Sequence, residues 1–348
     1  MLDAARKKNG DGSVAAEDNA HAQASLLAAL QAAIGAEAVG TEQPLARHTG
    51  LRIGGPADLL AVVENVSELC QAVVLSQEHG VPCRVLGGGS NVLVSDQGIR
   101  GLVVLNRARA VTFSPPESSP SQRDEAGKGQ VRAESGASLS RLARQCVARG
   151  WGGLEWAAGI PGTVGGAVVG NAGAWGGDIA TTLIQATILE PGGTVVEWLA
   201  ERFAYGYRSS ILKQGFAALG KRRREKAVPR AVVLEAQFAL QAGERARLQA
   251  RVSEIAARRR ATQPPGATCG SVFKNPADDY AGRLIEAAGM KGQRMGSAQI
   301  SPVHANFVVN HGGAMAADVM ALIDRTRQEV QSRFGVTLEL EIELIGDW

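Results

Sequence analysis

The sequence predicts an α+β protein built from several lobes, and three features of the chain support this fold class. From Ala57 onward, short apolar runs typical of strands alternate with segments that carry apolar residues at helical spacing. Glycine-rich turns separate these segments, drawn from 43 glycines in 348 residues. The chain closes on VTLELEIELIG, whose strict alternation of apolar and polar residues is typical of a half-buried strand.

The first third of the chain predicts an α/β unit behind a polar N-terminal extension. We expect residues 1–22 to lack fixed structure and a short Ala/Leu helix to run from about 24 to 38. ADLLAVVE predicts a strand, and Asn65 with Glu68 predicts the capped start of a helix that ends near Gly80. CRVLGGGSNVLV then predicts a strand, a glycine turn and a strand, and GLVVL predicts a further strand.

The middle of the chain predicts a second unit with two insertions, at 115–130 and 214–230, which we expect to be surface loops. ASLSRLARQCVARG predicts a helix that ends at Gly150, and ATILEPGGTVVEWL predicts a hairpin. AVVLEAQFAL predicts a strand, and a helix is expected over 243–260.

The last 80 residues predict a compact α+β domain. AGRLIEAAG predicts a short helix, HANFVVN a strand, and AADVMALIDRTRQEVQSRFG a helix that ends at Gly335. In the final run, alternation places the apolar side chains from Val336 to Leu344 on one face and Glu339, Glu341 and Glu343 on the other.

Composition excludes several classes of function. A net charge of +3 and 4% aromatic residues do not support nucleic-acid binding. The four cysteines lie far apart without a CxxC pair, which is typical of reduced thiols and not of a disulfide framework or a zinc site. We find neither a signal peptide nor a membrane span, expect no metal site, and predict a cytoplasmic protein.

Three glycine-rich stretches are the candidate ligand-binding segments. LEWAAGIPGTVGGAVVGNAGAWGGD (154–178) has too much glycine for a helix or an interior strand, so it predicts a loop that a ligand can approach closely. LGGGSNVLV (86–94) predicts either an anion-binding turn or a tight turn between strands. LRIGGPADL (51–59) adds a third glycine pair. No Walker A or GxGxxG pattern is present, which leaves a dinucleotide bound outside the Rossmann scheme.

Three polar groups complete the candidate chemistry, each with a structural alternative. GSVFKNP contains a hydroxyl, a cation and an amide, which could form part of a binding or catalytic site. The structural alternative is a polar turn before a helix. Arg208 in YGYRSSILK binds an anion or faces solvent, and the glutamates of the final run form a solvated face in the simpler reading. The pattern does not choose among these three glutamates.

Together and in this order, these strings resemble the MurB family of UDP-N-acetylenolpyruvoylglucosamine reductases. The resemblance rests on HTGLRIGGPAD, LGGGSNVLV, EWAAGIPGTVGGAVVGNAGAWGGD, YRSSILK, GSVFKNP, AGRLIEAAGMKG, HANFVVN and LELEIELIG, and it covers residues 44–346. AGRLIEAAGMKG and the form of GSVFKNP are closer to the type II branch of the family.

The resemblance implies a two-lobed FAD-binding domain of the vanillyl-alcohol-oxidase/PCMH type with a C-terminal α+β substrate domain. The expected divisions are an N-terminal extension at 1–40, lobe 1 at 41–106, lobe 2 at 107–242 and the substrate domain at 243–348, with the last strand returning to lobe 1. The implied enzyme binds FAD non-covalently, uses NADPH, reduces UDP-N-acetylglucosamine enolpyruvate to UDP-N-acetylmuramate, and is expected to be a monomer.

The resemblance also implies the site residues. Hydride adds to the enolpyruvyl methylene carbon, Ser271 gives the proton, and Arg208 with Glu341 takes the carboxylate end. The implied substrate contacts are Tyr207, Lys274, Asn275 and Gln299. The implied cofactor contacts are Arg52, Gly54, Gly87, Gly88, Gly89, Ser90, Asn91, Gly159, Ile160, Pro161, Gly162, Val164, Gly165, Gly166 and Asn171.

Two positions depart from the family pattern. Glu343 stands where many relatives have a basic residue, and Cys269 lies in GATCGS where a Pro-Ser pattern is common. We expect the change at Cys269 to alter packing only.

Two other functions are compatible with parts of the pattern. One is a sister flavoprotein oxidase, which often tethers flavin through a histidine in a glycine loop, and neither main glycine loop contains a histidine. The other is a non-catalytic nucleotide-sugar binding protein, which would not need Arg208, Ser271 and Glu341 together.

Overall fold

The computed structural model describes residues 3–114, 127–214 and 231–348, with side chains from residue 19 onward. The polar stretch at 115–126 and the segment 215–230 with KRRREK, both expected to be surface loops, lie outside these ranges. No helix within the described ranges is long and apolar enough to cross a membrane.

The first lobe is a four-stranded sheet covered by two helices. Its sheet has the order β1-β2-β5-β3, with β1 antiparallel to β2 and the other pairs parallel. The predicted cap of α2 is confirmed, since the Asn65 side chain accepts a hydrogen bond from Glu68 N at 2.9 Å. The elements of this lobe are α1 (Asp3–Ile34), β1 (Val39–Pro44), β2 (Pro56–Val63), α2 (Val66–Glu78), β3 (Cys83–Leu86), β4 (Val92–Val94) and β5 (Ile99–Asn106).

The N-terminal helix differs from its prediction. α1 begins at Asp3, although we expected no fixed structure before residue 22, and it ends at Ile34 before Gly35 at φ 95°. Alanine, glutamate and glutamine favour helix in this stretch. Leu26 and Leu30 are fully buried against the first lobe, and this packing stabilises the helix that the sequence only partly predicts.

The second lobe is an antiparallel sheet of order β12-β11-β13-β7-β6, with β8 also paired to β13. The predicted hairpin, the strand after it and the helix ending at Gly150 are all confirmed. Its strands are β6 (Val111–Ser114), β7 (Lys128–Glu134), β8 (Trp151–Gly152), β9 (Gly173–Ala174), β10 (Gly177–Asp178), β11 (Leu183–Leu189), β12 (Val195–Leu199) and β13 (Val232–Ala242). Its helices are α3 (Leu139–Ala148), α4 (Val164–Gly170) and α5 (Ile179–Thr182), and α6 (Arg245–Thr262) follows.

The prediction that glycine excludes helix from residues 154–178 is wrong, because α4 lies inside this stretch. A Cβ added at Gly165 would lie 2.8 Å from Ser135 Cβ, so the helix packs closer to the adjoining sheet than any larger residue allows. Val164 and Val168 are fully buried in the core of the lobe. Close packing therefore offsets the low helix propensity of glycine.

The C-terminal part has a four-stranded antiparallel sheet of order β14-β17-β16-β15, covered by two helices. The predicted stop of the last helix is confirmed, since Gly335 caps it at φ 68°. The elements are β14 (Ala267–Ser271), α7 (Ala281–Ala287), β15 (Arg294–Met295), β16 (Ala298–Ile300), β17 (Phe307–Asn310), α8 (Ala316–Phe334) and β18 (Glu343–Ile345).

The closing run is not the single strand that its alternation predicts. β18 covers only Glu343–Ile345 and pairs in parallel with β4 of the first lobe. Upstream of it, the chain contacts Phe273 through one bridge at Leu340. Leu338 and Ile342 are buried as predicted, but Ile345 is buried where alternation predicts Leu344. The run therefore contacts Phe273 at Leu340 and then pairs with β4, so it does not form one continuous β-ladder.

A carboxylate connects the first lobe to the start of α8. Asp96, which follows β4, accepts hydrogen bonds from Ala316 N at 2.7 Å and Ala317 N at 3.0 Å. Both donors belong to the first helical turn, where backbone N–H groups have no partner inside the helix. A negative charge is also favourable at this end of the helix dipole.

We expect Asp96→Ala to lower the free energy of unfolding by about 1–2 kcal/mol, because both N–H groups lose their charged partner. Urea unfolding followed by circular dichroism measures this change. Asp324→Ala is the matched control, since this carboxylate is 67% exposed and its contact with Arg327 is long, at 3.9 Å. Equal stability of the two variants would contradict a capping role for Asp96.

Candidate active site

Two glycine loops from different lobes pack directly on each other. In the first glycine loop (87–91), Ser90 Oγ donates a hydrogen bond to Pro161 O of the second glycine loop (159–163) at 3.2 Å. A Cβ at Gly88 would lie 3.1 Å from Gly162 Cα. Gly50 N, which immediately precedes the third glycine segment (51–59), donates to Gly89 O at 2.8 Å, and Gly54 within that segment packs against Val94. The structure therefore brings together the three segments that the sequence singled out.

The first glycine loop presents unpaired backbone donors. Within the described parts of the chain, the N–H groups of Gly88, Gly89 and Ser90 donate to no other group. Successive free N–H groups of this kind bind anions such as phosphates. This geometry favours the anion-binding alternative over a simple turn between strands, because β3 and β4 do not pair with each other.

A buried hydroxyl without a partner lies on the segment beside this loop. Thr268 Oγ1 is buried and has no hydrogen-bond partner among the described residues. The same residue's carbonyl would lie 2.7 Å from a Cβ at Gly50. A buried unpaired hydroxyl costs free energy unless a ligand or water satisfies it. The donors present thus fit a cofactor that carries phosphates and further polar groups.

Several residues implied as cofactor contacts have protein partners in the structure. Val164 is fully buried in the core, and Gly165 faces Ser135. Gly54 has φ 147° and packs against Val94. A Cβ added at Gly54 would lie 2.9 Å from Val94 Cβ. The conformation and packing of the protein alone account for these residues.

The remaining implied cofactor contacts differ in exposure. Ile160 packs partly against the core of the second lobe, and Arg52, at φ 56°, is exposed. Gly166 is exposed, and Gly87 faces Thr163. Gly159 faces the side chain of a cation on α6, described below.

Arg208 and Glu341 form an ion pair across a separation of 133 residues. Arg208 Nε donates to Glu341 Oε1 at 2.7 Å, and Nη2 donates to Gly173 O at 2.7 Å. The two side chains are only 24% and 16% exposed. These bonds use two of the five guanidinium N–H groups, and within the described ranges the others have no protein acceptor and could bind an anion.

Ser271 lies at the end of β14 beside an irregularity of the sheet. The register between β14 and β17 shifts between Thr268 and Ser271, and Gly270 within this step has φ 80°. Such irregularities re-aim side chains and often lie next to active sites. The next residue, Val272, accepts a backbone hydrogen bond from Glu341 N at 2.9 Å, so Ser271 and Glu341 lie on neighbouring segments.

Asn91 connects the first glycine loop to the ion pair. Its Nδ2 donates to Glu341 O at 3.1 Å, and its carbonyl accepts from Glu343 N at 2.9 Å. The resemblance implied a cofactor contact for Asn91, whereas in the structure its side chain bonds to the segment that carries Glu341.

A cleft of about 360 Å³ lies at the edge of this arrangement and contains three of the four implied substrate contacts. Lys274 Nζ pairs in it with Glu339 Oε2 at 3.2 Å. The Asn275 side chain accepts from Ala281 N at 3.1 Å and so also gives the first N–H group of α7 a partner. The lining residues are Tyr207, Lys274, Asn275, Pro276, Ala277, Thr337, Leu338 and Glu339.

Gln299 is not part of this cleft. Its Nε2 donates to Gly292 O at 3.0 Å, and its Oε1 lies 2.8 Å from His311 Nε2. These contacts hold the edge of the C-terminal sheet. The structure thus places Gln299 apart from Tyr207, Lys274 and Asn275.

Two cations near the site were not among the predicted site residues. A Cβ at Gly159 would lie 3.2 Å from Arg259 Cδ, so Arg259 of α6 lies over the second glycine loop, and burial lowers its pKa. Burial also lowers the pKa of Lys213, while the carboxylates of Glu343 and Glu341 oppose this shift. The sequence signals were the arginine run that ends α6 and the lysine of YRSSILK.

Cys269 is fully buried in the core of the C-terminal part, and the expectation that its change from the family pattern alters packing only stays a prediction. Burial raises the pKa of its thiol to about 12, so the group is neutral beside Ser271.

The fold and the site together define a flavoprotein with a bipartite FAD-binding domain and a separate C-terminal domain. Residues 57–198 match the family model described as an FAD binding domain. Residues 262–345 match the model for the C-terminal domain of UDP-N-acetylenolpyruvoylglucosamine reductase. The predicted fold class and the FAD requirement are thereby confirmed.

Comparison with named relatives identifies the family. The UDP-N-acetylenolpyruvoylglucosamine reductase of Chloroflexus aurantiacus is 43% identical over 304 residues, which is 87% of this chain and 96% of the relative. UDP-N-acetylenolpyruvoylglucosamine reductase 2 of Symbiobacterium thermophilum is 45% identical over 307 residues, 87% and 91% of the two chains. The crystal structure of the Thermus caldophilus reductase (MurB) superposes with a TM-score of 0.69 at 32% identity, covering 87% of this chain and 97% of that one. This chain belongs to the UDP-N-acetylenolpyruvoylglucosamine reductase family.

We expect Gly88→Ala to raise the dissociation constant of FAD at least about tenfold, equivalent to about 1.4 kcal/mol. The added methyl would lie 3.1 Å from Gly162 Cα and force the two glycine loops apart. Titration of the apoprotein with FAD, followed by flavin fluorescence, measures the constant. Gly170→Ala is the control, because a Cβ there meets nothing within 4 Å. Unchanged FAD affinity in Gly88→Ala would show that the loops do not bind the cofactor.

Proposed function

We propose that this chain is an NADPH-dependent flavoenzyme that reduces the enolpyruvyl group of UDP-N-acetylglucosamine enolpyruvate. The product is UDP-N-acetylmuramate, a peptidoglycan precursor. The observation that carries the proposal is the Arg208–Glu341 ion pair, which lies beside the Ser271 segment, between the glycine loops and the cleft. Family membership supports the substrate and the reductant.

FAD, when bound, supplies the hydride in this chemistry. The first glycine loop would hold a phosphate through the N–H groups of Gly88, Gly89 and Ser90. Arg259 lies over the second glycine loop and provides a positive charge on the same side. Thr268 Oγ1 supplies a further buried hydrogen-bonding group.

Arg208 binds the carboxylate end of the enolpyruvyl group in this proposal. Hydride addition to the enol ether places negative charge on the carbon next to that carboxylate, so a fixed positive partner lowers the barrier. Glu341 and Gly173 O already orient the guanidinium, and no reorganisation is needed when the charge develops. The free N–H groups of Arg208 then contact the substrate.

Ser271 gives the proton to the carbon. A serine hydroxyl is a weak acid and acts only when tightly positioned. The register shift at Gly270 precedes Ser271, and the backbone hydrogen bond from Glu341 N to Val272 O follows it. Together they fix the Ser271 segment on both sides. Ser271 itself is half-buried and lies between the buried residues Cys269 and Val272.

The cleft with Lys274 takes the nucleotide-sugar part of the substrate. Lys274 provides a positive charge for a phosphate, and Tyr207 provides an exposed aromatic face, 55% accessible, beside Arg208. The ion pair with Glu339 is an exchangeable contact, since Glu339 is 73% exposed and exposed pairs contribute about 0–1 kcal/mol.

The division into an extension, two FAD-binding lobes and a substrate domain with limits at residues 40, 106 and 242 is also part of the proposal. Two of the hydrophobic cores lie mainly in the first lobe, one in the second and one in the C-terminal part, and they support this division. A monomeric, cytoplasmic enzyme remains a prediction.

The two alternative functions are not favoured. An oxidase of the same fold does not need the assembled Arg208, Glu341 and cleft, and the named relatives are reductases. A binding protein without catalysis leaves the positioned Ser271 segment without a purpose.

The test of the proposed function follows flavin absorbance in a stopped-flow instrument, first with NADPH and then with the enolpyruvyl sugar. We expect Ser271→Ala to reduce flavin at a near-normal rate and to slow reoxidation by the sugar by a factor on the order of 10² or more. Equal loss in both steps would make Ser271 structural. A wild-type enzyme that the enolpyruvyl sugar does not reoxidise would overturn the proposed function.

We expect Glu341→Gln to reduce turnover far more than Glu339→Gln, by at least about tenfold, because Glu341 pairs with Arg208 whereas Glu339 pairs with Lys274. Glu339→Gln is the matched control, with the same chemical change two residues away on the same segment. Steady-state kinetics with the enolpyruvyl sugar compare them. Similar small effects would show that the Arg208–Glu341 ion pair does not act in turnover.

A further inference from the structure

We propose that Asn171 is a positioning residue for Arg208: it holds the turn that carries this arginine, and its side chain acts in the substrate half of the reaction. The resemblance had placed Asn171 among the cofactor contacts. The kinetic arm of the test rests on the proposed function, whereas the structural arm does not.

The left-handed backbone of Asn171 tolerates an asparagine but does not require one. Asn171 ends α4 in the left-handed conformation, at φ 45° and ψ 58°, and its N–H donates to Ala167 O. Glycine is the usual residue at this position of a helix end, because it adopts the conformation without strain. Asn171 is only 4% exposed, so its side chain has a role inside the protein.

All polar atoms of the Asn171 side chain are engaged in one orientation of the amide. Its Oδ1 accepts from Ala180 N at 3.1 Å, and its Nδ2 donates to Gly206 O at 3.0 Å. Nδ2 has a longer contact of 3.5 Å with Asp178 Oδ2. A flipped amide would place Nδ2 against the Ala180 N–H and Oδ1 against two acceptors, so the network fixes the orientation.

Gly206 begins the tight turn that carries Arg208. Gly206 and Ser209 exchange two backbone hydrogen bonds of 3.1 Å each, and Arg208 between them has φ 54°. A non-glycine residue in this conformation is strained and persists only where its surroundings hold it. The bond from Asn171 to Gly206 O is one such restraint.

The same asparagine lies two residues before the other anchor of Arg208. Gly173 O accepts from Arg208 Nη2 at 2.7 Å, and Gly173 begins β9 directly after the helix end that Asn171 forms. Asn171 therefore holds both the turn from which the arginine projects and the segment to which its guanidinium is anchored. Without the side chain, the strained turn can relax and move the guanidinium away from Glu341. A displacement of about 1 Å in a catalytic group can reduce a rate about 10²-fold.

The structural arm compares crystal structures of the wild type and Asn171→Gly. Glycine suits the left-handed helix end, so this variant is expected to fold. We expect α4 to end at the same residue and the Arg208 guanidinium to leave Gly173 O and Glu341. Retention of both 2.7 Å contacts in the variant would overturn the proposal.

The kinetic arm uses the holoenzyme and measures three quantities for Asn171→Gly. We expect the FAD dissociation constant and the rate of flavin reduction by NADPH to stay within about twofold of the wild type, and reoxidation by the enolpyruvyl sugar to slow about 10- to 100-fold. The double variant with Arg208→Ala is expected to be no slower than Arg208→Ala alone, because Asn171 acts through Arg208.

Asn106→Ala is the matched control. It also removes a buried asparagine whose side chain bonds to Ser135 Oγ and Ala108 N, at 2.7 and 3.0 Å, without contact to the turn. We expect normal reoxidation in this control. Weakened FAD binding in Asn171→Gly, with losses that add to those of Arg208→Ala, would return Asn171 to cofactor binding. If the wild type itself does not react with the sugar, the proposed function fails and the crystal structures alone decide the role of Asn171.

Discussion

The ion pair between Arg208 and Glu341 is the contact on which the arrangement of the site depends. It connects a turn of the second lobe to the extended segment before β18, at 2.7 Å and with little exposure of either side chain. Partial burial strengthens the attraction, but it also removes hydration from both charges. Gly173 O accepts a second hydrogen bond from the Arg208 guanidinium. Asn91 and Val272 form hydrogen bonds with the backbone of Glu341. These further bonds offset the loss of hydration and fix the pair in one geometry.

The glycine loops have a physical role that composition alone does not show. Backbone approaches backbone where Gly88 meets Gly162 and where Gly50 meets Gly89, and no side chain fits between them. Three N–H groups of the first glycine loop have no partner among the residues that the structure describes. Close packing and anion binding are thus two consequences of the same absence of side chains.

Charge around the pair is balanced by residues from several elements. Glu343, which departs from the family pattern, lies near two cations, and its carboxylate opposes the lowering of the pKa of Lys213 and of Arg84 by burial. The negative charge in β18 therefore favours the charged forms of Lys213 and Arg84. Arg259 contributes a further positive charge beside the second glycine loop.

The sequence by itself determined the features that are local. Helical and strand periodicity, the Asn65 cap and the Gly335 stop depend on neighbours within a few residues, and the structure confirms them. The motif strings also identified the family and supplied the segments proposed for the site. Only the tertiary structure decided that residues 164–170 are helical, that the closing run changes partner before β18, and that Asn171 bonds to Gly206 O. These outcomes depend on packing between segments far apart in the chain, and a local pattern carries no information about that packing.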